Sequence, residues 1–209
     1  MIDLLQRQLD GRLIPEVYTA LDTIASAQGK LLGAEEQIIA RANNKRRQEF
    51  VAGRTLARRA LQRIGYGATD IFAKDRIPIW PPSIVGSISH CKTHAIAAVA
   101  PRCKVLSLGI DVEENQAIPP DTIDMICHAE ELGNSIDACY TATLVFSAKE
   151  AVFKAVSTTL PYIDFHDVRL QFSSASRSFL AQIRNGPSLH GSYFIDRVLI
   201  VTTTFIRAS

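Results

Sequence analysis

The sequence predicts an α+β protein, in which helices pack against antiparallel sheet. Two observations carry this prediction. Helical periodicity marks two long segments, at residues 34–64 and 138–157. Elsewhere, short apolar or β-branched runs follow one another with turn signals between them, which is typical of antiparallel strands. Helices set against such strands form the α+β class.

The first half of the chain contains one predicted helix and two predicted strands. In the helix, apolar residues recur at helical spacings, and Gly65-Tyr66-Gly67 ends the pattern. Three prolines make residues 77–83 an irregular or turn-like segment. Strands follow at residues 84–89 and 95–100, joined by a loop at residues 90–93.

The second half begins with a β-branched, apolar run at residues 105–112, which predicts a buried strand. Residues 117–135 are expected to form a loop and a short helix. In the helix at 138–157, one apolar face carries Val145, Ala148, Val152 and Val156. Four strand-like runs then predict an antiparallel meander, at residues 168–172, 179–183, 192–194 and 198–205.

Composition restricts the class of protein. A chain of 209 residues with 47% hydrophobic residues can bury a core in one domain or two small ones. The net charge of +2 does not favour a polyanion-binding protein or a disordered acidic tail. The four cysteines are widely spread and the first ten residues lack the order of a secretory signal, so we expect reduced thiols and a cytoplasmic protein. No apolar run approaches the about 18 residues of a membrane span.

Two acidic residues at the end of the predicted strand 105–112 suggest a metal site. Asp111 and Glu113 are two residues apart, so their side chains share one face, while Ile110 and Val112 point into the core. Two such anions repel each other unless a cation lies between them, and Mg²⁺ prefers carboxylates together with water and phosphate oxygens. A solvated strand end that binds no ion is the alternative.

The second helix carries Glu150 and Lys154, which are four residues apart and share one helix face. We expect Ser147 on the same side, opposite the apolar stripe. An ordinary exposed salt bridge is the alternative interpretation. In combination with the strand carboxylates, Glu150 is a third acidic ligand or a base, and Lys154 is a cation for a phosphate.

The first helix is strongly basic, and Arg47, Arg54 and Arg58 form one stripe on it. Such a face suits phosphate or an acidic partner, although a merely solvated face is the simplest alternative. No sequence motif for nucleic-acid recognition accompanies these basic residues. His90 ends a strand at a turn, where its imidazole can meet a phosphate. A zinc site of His90, Cys91 and His94 would lack an evident fourth ligand.

In their order along the chain, these segments resemble the 4′-phosphopantetheinyl transferases, and specifically the monomeric type that activates siderophore synthetases such as the enterobactin type. The resemblance rests on Gly109-Ile110-Asp111-Val112-Glu113 and on Phe146-Ser147-Ala148-Lys149-Glu150 with Lys154. Residues 78–81, 86–91 and 46–59 add to it, and the final fifty residues match only as generic strands. Phe146 stands where many members have tryptophan, and Ala151 where serine is frequent.

The resemblance implies two similar α+β halves related by pseudo-two-fold symmetry, at residues 1–104 and 105–209. By resemblance, Asp111, Glu113 and Glu150 surround Mg²⁺, while His90 and Lys154 contact the coenzyme A phosphates. Arg47 and Arg54 take the place of cations for its nucleotide end, with Arg46 as the neighbour of Arg47. Glu130 or Glu131 corresponds to a further acidic residue of the family.

The implied reaction moves the phosphopantetheine arm of coenzyme A to a serine of an apo carrier protein and releases 3′,5′-ADP. Glu150 takes the serine proton and Lys154 stabilises charge on the phosphate. Arg58, Arg59 and Arg63 are candidates for a surface that meets an acidic carrier. The expected protein is a monomer that acts in siderophore, nonribosomal peptide or polyketide synthesis. Alternatives are a carrier of fatty-acid synthesis as main substrate, a Mg²⁺-dependent phosphodiesterase or nuclease, and a non-catalytic coenzyme A or carrier-binding module.

Overall fold

Two long helices, each packed on an antiparallel sheet, form the framework of the protein. The computed structural model describes residues 2–11, 15–74, 77–133, 137–160 and 162–208. Contacts divide the chain into two units, Met1–Leu108 with Arg207–Ser209, and Gly109–Ile206. Both units combine helices with antiparallel strands, so the predicted α+β class is confirmed. The predicted boundary after residue 104 and the pseudo-two-fold symmetry stay predictions.

The first unit is built around a three-stranded antiparallel sheet with strand order β1-β5-β4, and a separate hairpin joins β2 to β3. Its elements are α1 (Ile2–Asp10), β1 (Tyr18–Thr23), α2 (Glu35–Ile38), α3 (Asn44–Arg63), β2 (Phe72–Lys74), β3 (Ile77–Ile79), β4 (Ile84–His90) and β5 (His94–Pro101). One face of α3 buries Ala52, Leu56 and Ala60 in a core shared with β4 and β5.

Two predictions for this unit were wrong. The helix predicted at residues 34–64 is divided into α2 and α3, because Asn43 caps a new helix by accepting a hydrogen bond from the Arg46 backbone N–H at 2.8 Å. The proline-rich segment contains the strand β3, in which Pro78 lies opposite Ala73 of β2. A hairpin of only two strands leaves edges where a proline without an N–H is tolerated.

The second unit contains a five-stranded sheet with strand order β6-β10-β9-β8-β7. Its elements are β6 (Val105–Glu114), which begins in the first unit, α4 (Ile123–Ile126), α5 (Ala129–Leu132), α6 (Ala138–Val156), β7 (Val168–Ser173), β8 (Ser178–Ile183), β9 (Ser188–Ile195) and β10 (Leu199–Arg207). Two 3₁₀ turns lie at Pro120–Thr122 and Phe165–Asp167. The pairs β7–β8, β8–β9 and β9–β10 are antiparallel, which confirms the predicted meander.

Helix α6 is buried on more than one side. Its stripe of Val145, Ala148 and Val152 is fully buried in the core of the second unit, as the periodicity predicts. Ser147 was predicted on the same side of the helix as Glu150, opposite this stripe, and that side is not open to solvent at Ser147. Its side chain is fully buried, with its Oγ 3.0 Å from Oγ1 of Thr202 in β10. Among the described residues, none of the helices has the length and apolarity that crossing a membrane requires.

Candidate active site

A glycine brings the strand that carries two acidic residues directly against α6. At Gly109 of β6, an added Cβ would lie 1.8 Å from the carbonyl oxygen of Ala151 and 2.8 Å from the amide nitrogen of Ala155. Thr203 of β10 donates a hydrogen bond to the Gly109 carbonyl at 3.1 Å. Only a residue without a side chain fits this contact, so the backbone of β6 lies against α6 two residues before Asp111.

Two of the predicted site residues, Asp111 and Lys154, form an ion pair across these two elements. The Nζ of Lys154 on α6 donates to Oδ1 of Asp111 on β6 at 2.6 Å. Asp111 is 2% exposed, whereas the side chain of Lys154 is 28% exposed. Lys154 therefore places its positive charge at a buried carboxylate while part of the side chain reaches solvent.

The two other predicted acidic residues interact electrostatically with this pair. Burial and the neighbouring Asp111 charge together raise the pKa of Glu113 to about 8, and Lys154 opposes this shift. Burial also raises the pKa of Glu150, against the favourable charge of Lys154. Asp111, Glu113, Glu150 and Lys154 are named the carboxylate cluster below. A carboxylate with a raised pKa is a stronger base, and three coupled carboxylates favour a cation between them.

The donor set of the carboxylate cluster fits a divalent metal of the Mg²⁺ type. All three acids offer hard oxygen ligands, and the charge of Asp111 raises the pKa values of both Glu113 and Glu150. In the part of the chain that the structure describes, no three His, Cys, Asp or Glu side chains converge to hold a metal as they stand. Instead, Oδ1 of Asp111 accepts a hydrogen bond from Nζ of Lys154.

The predicted histidine lies in a second cluster, within the first unit. Nε2 of His90, the last residue of β4, is 3.1 Å from Nη1 of Arg46 and 3.6 Å from Oε2 of Glu49. A guanidinium can only donate, so the contact with Arg46 requires Nε2 of His90 to accept. We name Arg46, Glu49 and His90 the histidine cluster. It offers a cation and an imidazole side by side, which suits a phosphate group.

Arg46 was named in the sequence analysis only as the neighbour of Arg47, without a role of its own. The structure places Arg47 elsewhere, in an exposed ion pair with Glu36 at 2.7 Å. A signal for Arg46 was nevertheless present. Gly53 lies seven residues further along α3 on the same helix face, and an added Cβ there would lie 2.9 Å from Ile88 of β4. A glycine inside a helix indicates a close approach, and here the approaching strand ends at His90.

Two arginines of the predicted basic stripe are buried rather than open to solvent. Arg54 is 4% exposed, donates from Nε to the Ile71 carbonyl at 2.8 Å and stacks on Phe50 at 4.3 Å. Burial lowers its pKa to about 10. Arg58 is 9% exposed and forms an ion pair with the fully buried Glu35 at 2.9 Å. The expectation that Arg58 lies on a carrier-facing surface was therefore wrong.

Glu130 and Glu131, the two candidates for a further acidic site residue, differ in exposure. The Glu130 side chain is 77% exposed and lies 3.8 Å from Arg169. The Glu131 side chain is 2% exposed and pairs with the fully buried Lys149 at 2.8 Å. Sequence reasoning assigned no role to Lys149. A signal was available in the sequence: Lys149 directly follows Ala148 of the apolar stripe. A charged side chain that is buried beside such a stripe needs a partner of opposite charge.

The comparisons with known proteins cover both units. Residues 34–100 match the family model of the 4′-phosphopantetheinyl transferase N-terminal domain, and residues 107–202 match that of the 4′-phosphopantetheinyl transferase superfamily. At the level of single proteins, the chain is 32% identical over 190 residues to the 4′-phosphopantetheinyl transferase PptT of Mycobacterium tuberculosis, covering 82% of this chain and 84% of PptT. The chain belongs to the 4′-phosphopantetheinyl transferase superfamily.

Two further relatives of this superfamily match over shorter lengths. The 4′-phosphopantetheinyl transferase Npt of Nocardia iowensis is 35% identical over 144 residues, which cover 66% of this chain and 65% of Npt. Enterobactin synthase component D of Escherichia coli K12 is 36% identical over 132 residues, which cover 59% of this chain and 62% of that protein. This chain therefore spans less than two thirds of the length of these two relatives.

The identification of the 4′-phosphopantetheinyl transferase family and enzyme class from the sequence is confirmed. Within the superfamily, coenzyme A is the substrate, an apo carrier protein is the acceptor, and a divalent metal is typical. The roles of individual residues stay predictions. In the structure, Asp111 and Lys154 are in contact, and their charges affect the pKa values of Glu113 and Glu150.

Proposed function

We propose that this chain transfers the 4′-phosphopantetheine group of coenzyme A to the hydroxyl of a serine on an apo carrier protein. A bond forms between the serine oxygen and the β-phosphorus of coenzyme A. The bond from that phosphorus to the bridging oxygen breaks, and 3′,5′-ADP leaves. The observation that carries the proposal is the carboxylate cluster, in which Lys154 contacts Asp111 beside Glu113 and Glu150 in a chain of this superfamily.

The roles within the carboxylate cluster follow from charge and position. Asp111, Glu113 and Glu150 are the proposed ligands of Mg²⁺, which when bound would neutralise the pyrophosphate charge. Lys154 is the proposed cation for the phosphate that is transferred, because its ammonium contacts Asp111 while its side chain is 28% exposed. Glu150, one helical turn before Lys154, is the proposed acceptor of the serine proton.

The first unit contains further candidates for binding coenzyme A. His90 is proposed to bind a phosphate, and Arg46 beside it becomes the stronger candidate for a nucleotide phosphate than Arg47, which pairs with Glu36. Arg54 is still proposed to bind the nucleotide end of coenzyme A, as the resemblance implies, although its Nε already donates a hydrogen bond to the Ile71 carbonyl.

The carrier, the location and the oligomeric state are part of the same proposal. Similarity to enterobactin synthase component D supports a carrier of siderophore, nonribosomal peptide or polyketide synthesis. Both family models lie on one chain, which supports a monomer. The four cysteines are free thiols, which supports a cytoplasmic protein.

Intact-mass spectrometry of carriers tests the reaction. Apo carriers from siderophore, polyketide and fatty-acid synthesis are incubated with the chain, coenzyme A and Mg²⁺. We expect one added phosphopantetheine on a siderophore-type carrier, lost with EDTA and in Asp111→Asn and Lys154→Met, but retained in Glu130→Gln, whose side chain is exposed.

Three outcomes would overturn the proposal or part of it. Release of 3′,5′-ADP without any carrier would indicate a phosphodiesterase. Coenzyme A binding without modification of any carrier would indicate a binding module. Full activity of Asp111→Asn would contradict the assignment of the carboxylate cluster.

A further inference from the structure

A buried lysine and glutamate lie beside the carboxylate cluster without belonging to it. Lys149 immediately precedes Glu150 on α6, and its side chain is fully buried. Its three ammonium donors contact Oε2 of Glu131 at 2.8 Å, the Ile126 carbonyl at 2.8 Å and the Phe165 carbonyl at 2.9 Å. Three contacts use the full donor capacity of an ammonium, which leaves it no hydrogen for a ligand.

Both carboxylate oxygens of Glu131 also have partners within the second unit. Oε2 accepts from the His128 amide at 2.8 Å in addition to Lys149, and Oε1 accepts from the Leu170 amide at 2.8 Å. These contacts join α5, the end of α4, the 3₁₀ turn at Phe165–Asp167 and β7 to one point on α6. The pair therefore fixes α6 against four other segments of the second unit.

Apolar packing alone would not require these charges. The side chains of Lys149 and Glu131 are 0% and 2% exposed, and removing two charges from water is costly even when they are paired. Apolar residues of similar volume often stabilise a core as well as a buried ion pair does. Directional hydrogen bonds differ from apolar contacts because they fix the rotation of a helix about its axis.

The rotation and position of α6 decide where its two site residues lie. Glu150 follows Lys149 directly, and Lys154 must reach Asp111 at 2.6 Å. Catalysis by positioning is lost steeply when groups move, and a displacement of about 1 Å can cost about 100-fold in rate.

We propose that Glu131 and Lys149 are positioning residues, whose buried ion pair holds α6 in the rotation that presents Glu150 and Lys154 to the substrate. This inference rests on the proposed transfer reaction. Both side chains are buried and bonded within the second unit, so we expect their loss to act through the placement of Glu150 and Lys154 and to lower kcat more than it changes the KM for coenzyme A.

The kinetic test uses three variants at temperatures well below their unfolding transitions. Glu131→Gln keeps the size of the side chain and removes its charge, and we expect kcat to fall about 10- to 100-fold with a much smaller change in the KM for coenzyme A. The adjacent Glu130→Gln is the matched control and should behave as wild type. The double variant Glu131→Leu with Lys149→Met removes both charges together, and we expect it to fold but to keep the low kcat.

Wild-type kcat in the double variant would overturn the proposal, because apolar packing would then suffice. A rise in the KM for coenzyme A that accounts for the loss of activity would overturn it as well, because the pair would then act on binding. Hydrogen exchange of α6 amides provides a test that does not need the transfer reaction. Faster exchange around Glu150 in Glu131→Gln, but not in Glu130→Gln, is expected, and unchanged exchange would contradict the proposal.

Failure of the proposed function is recognised separately. If wild-type protein modifies no carrier, the transfer reaction is rejected on that result alone. The exchange measurement then still decides whether the ion pair fixes α6.

Discussion

Replacement of Gly109 by alanine tests the contact that brings β6 against α6. An added Cβ would lie 1.8 Å from the Ala151 carbonyl oxygen, whereas real Cβ atoms essentially never approach another atom closer than 3.0 Å. The difference requires a movement of at least 1.2 Å. The opposing atom belongs to helical backbone, which is itself hydrogen-bonded and cannot rotate away as a side chain can.

The magnitude follows from two effects. Overpacking of a core costs about 1–3 kcal/mol, and sometimes more when backbone must move. For a domain of this size, each kcal/mol lowers Tm by about 2–4 °C. Because Asp111 and Lys154 face each other across the same two elements at 2.6 Å, a movement of about 1 Å should also lower kcat about 100-fold.

Thermal unfolding and carrier modification are measured on Gly109→Ala and on a matched control. Gly67→Ala is suitable, because an added Cβ there meets nothing within 4 Å. We expect a lower Tm and a lower kcat for Gly109→Ala alone. If Gly109→Ala keeps the Tm and kcat of the wild type, the close packing of β6 on α6 is wrong, and so is the positioning argument that depends on it.

Two further predictions concern the stability of the first unit and the reactivity of the thiols. Arg54→Met should lower the free energy of unfolding in urea by about 1–3 kcal/mol, because it leaves the buried Ile71 carbonyl without this donor. The exposed Arg47→Met should cost at most about 1 kcal/mol, and equal losses would contradict the burial of Arg54. Iodoacetamide at pH 8 should label the exposed Cys103 long before the buried Cys127. Burial raises the pKa of Cys127 to about 11, so its labelling should accelerate about tenfold per pH unit up to pH 10, and a plateau near pH 9 would refute the shift.

The meander of the second unit and its long helix were predictable because their patterns are local. Alternating runs separated by turns define the strands β7 to β10, and the stripe of Val145, Ala148 and Val152 defines the core face of α6. Asp111 and Glu113 were predicted as a pair for the same reason, since a spacing of two in a strand fixes a common face.

Other features depend on contacts between distant residues. The burial of Arg54 and Arg58 follows from Glu35 and the Ile71 carbonyl, which no helical periodicity reveals. The choice between Glu130 and Glu131 likewise depends on where Lys149 is buried. A pattern can state that a residue is charged, but it cannot state that the charge has a partner in the core.

Burial of charge also affects how the protein meets a partner in solution. Among the described residues, three buried cations and three buried anions cancel one another: Arg54, Arg58, Lys149, Glu35, Asp111 and Glu131. The remainder of the chain therefore keeps the formal net charge of +2 of the whole sequence. A net charge this small attracts an anionic protein only weakly at distances beyond the Debye length, which is about 8 Å at physiological ionic strength. Diffusional capture of a carrier then depends on the local arrangement of surface charges rather than on the total charge of the enzyme.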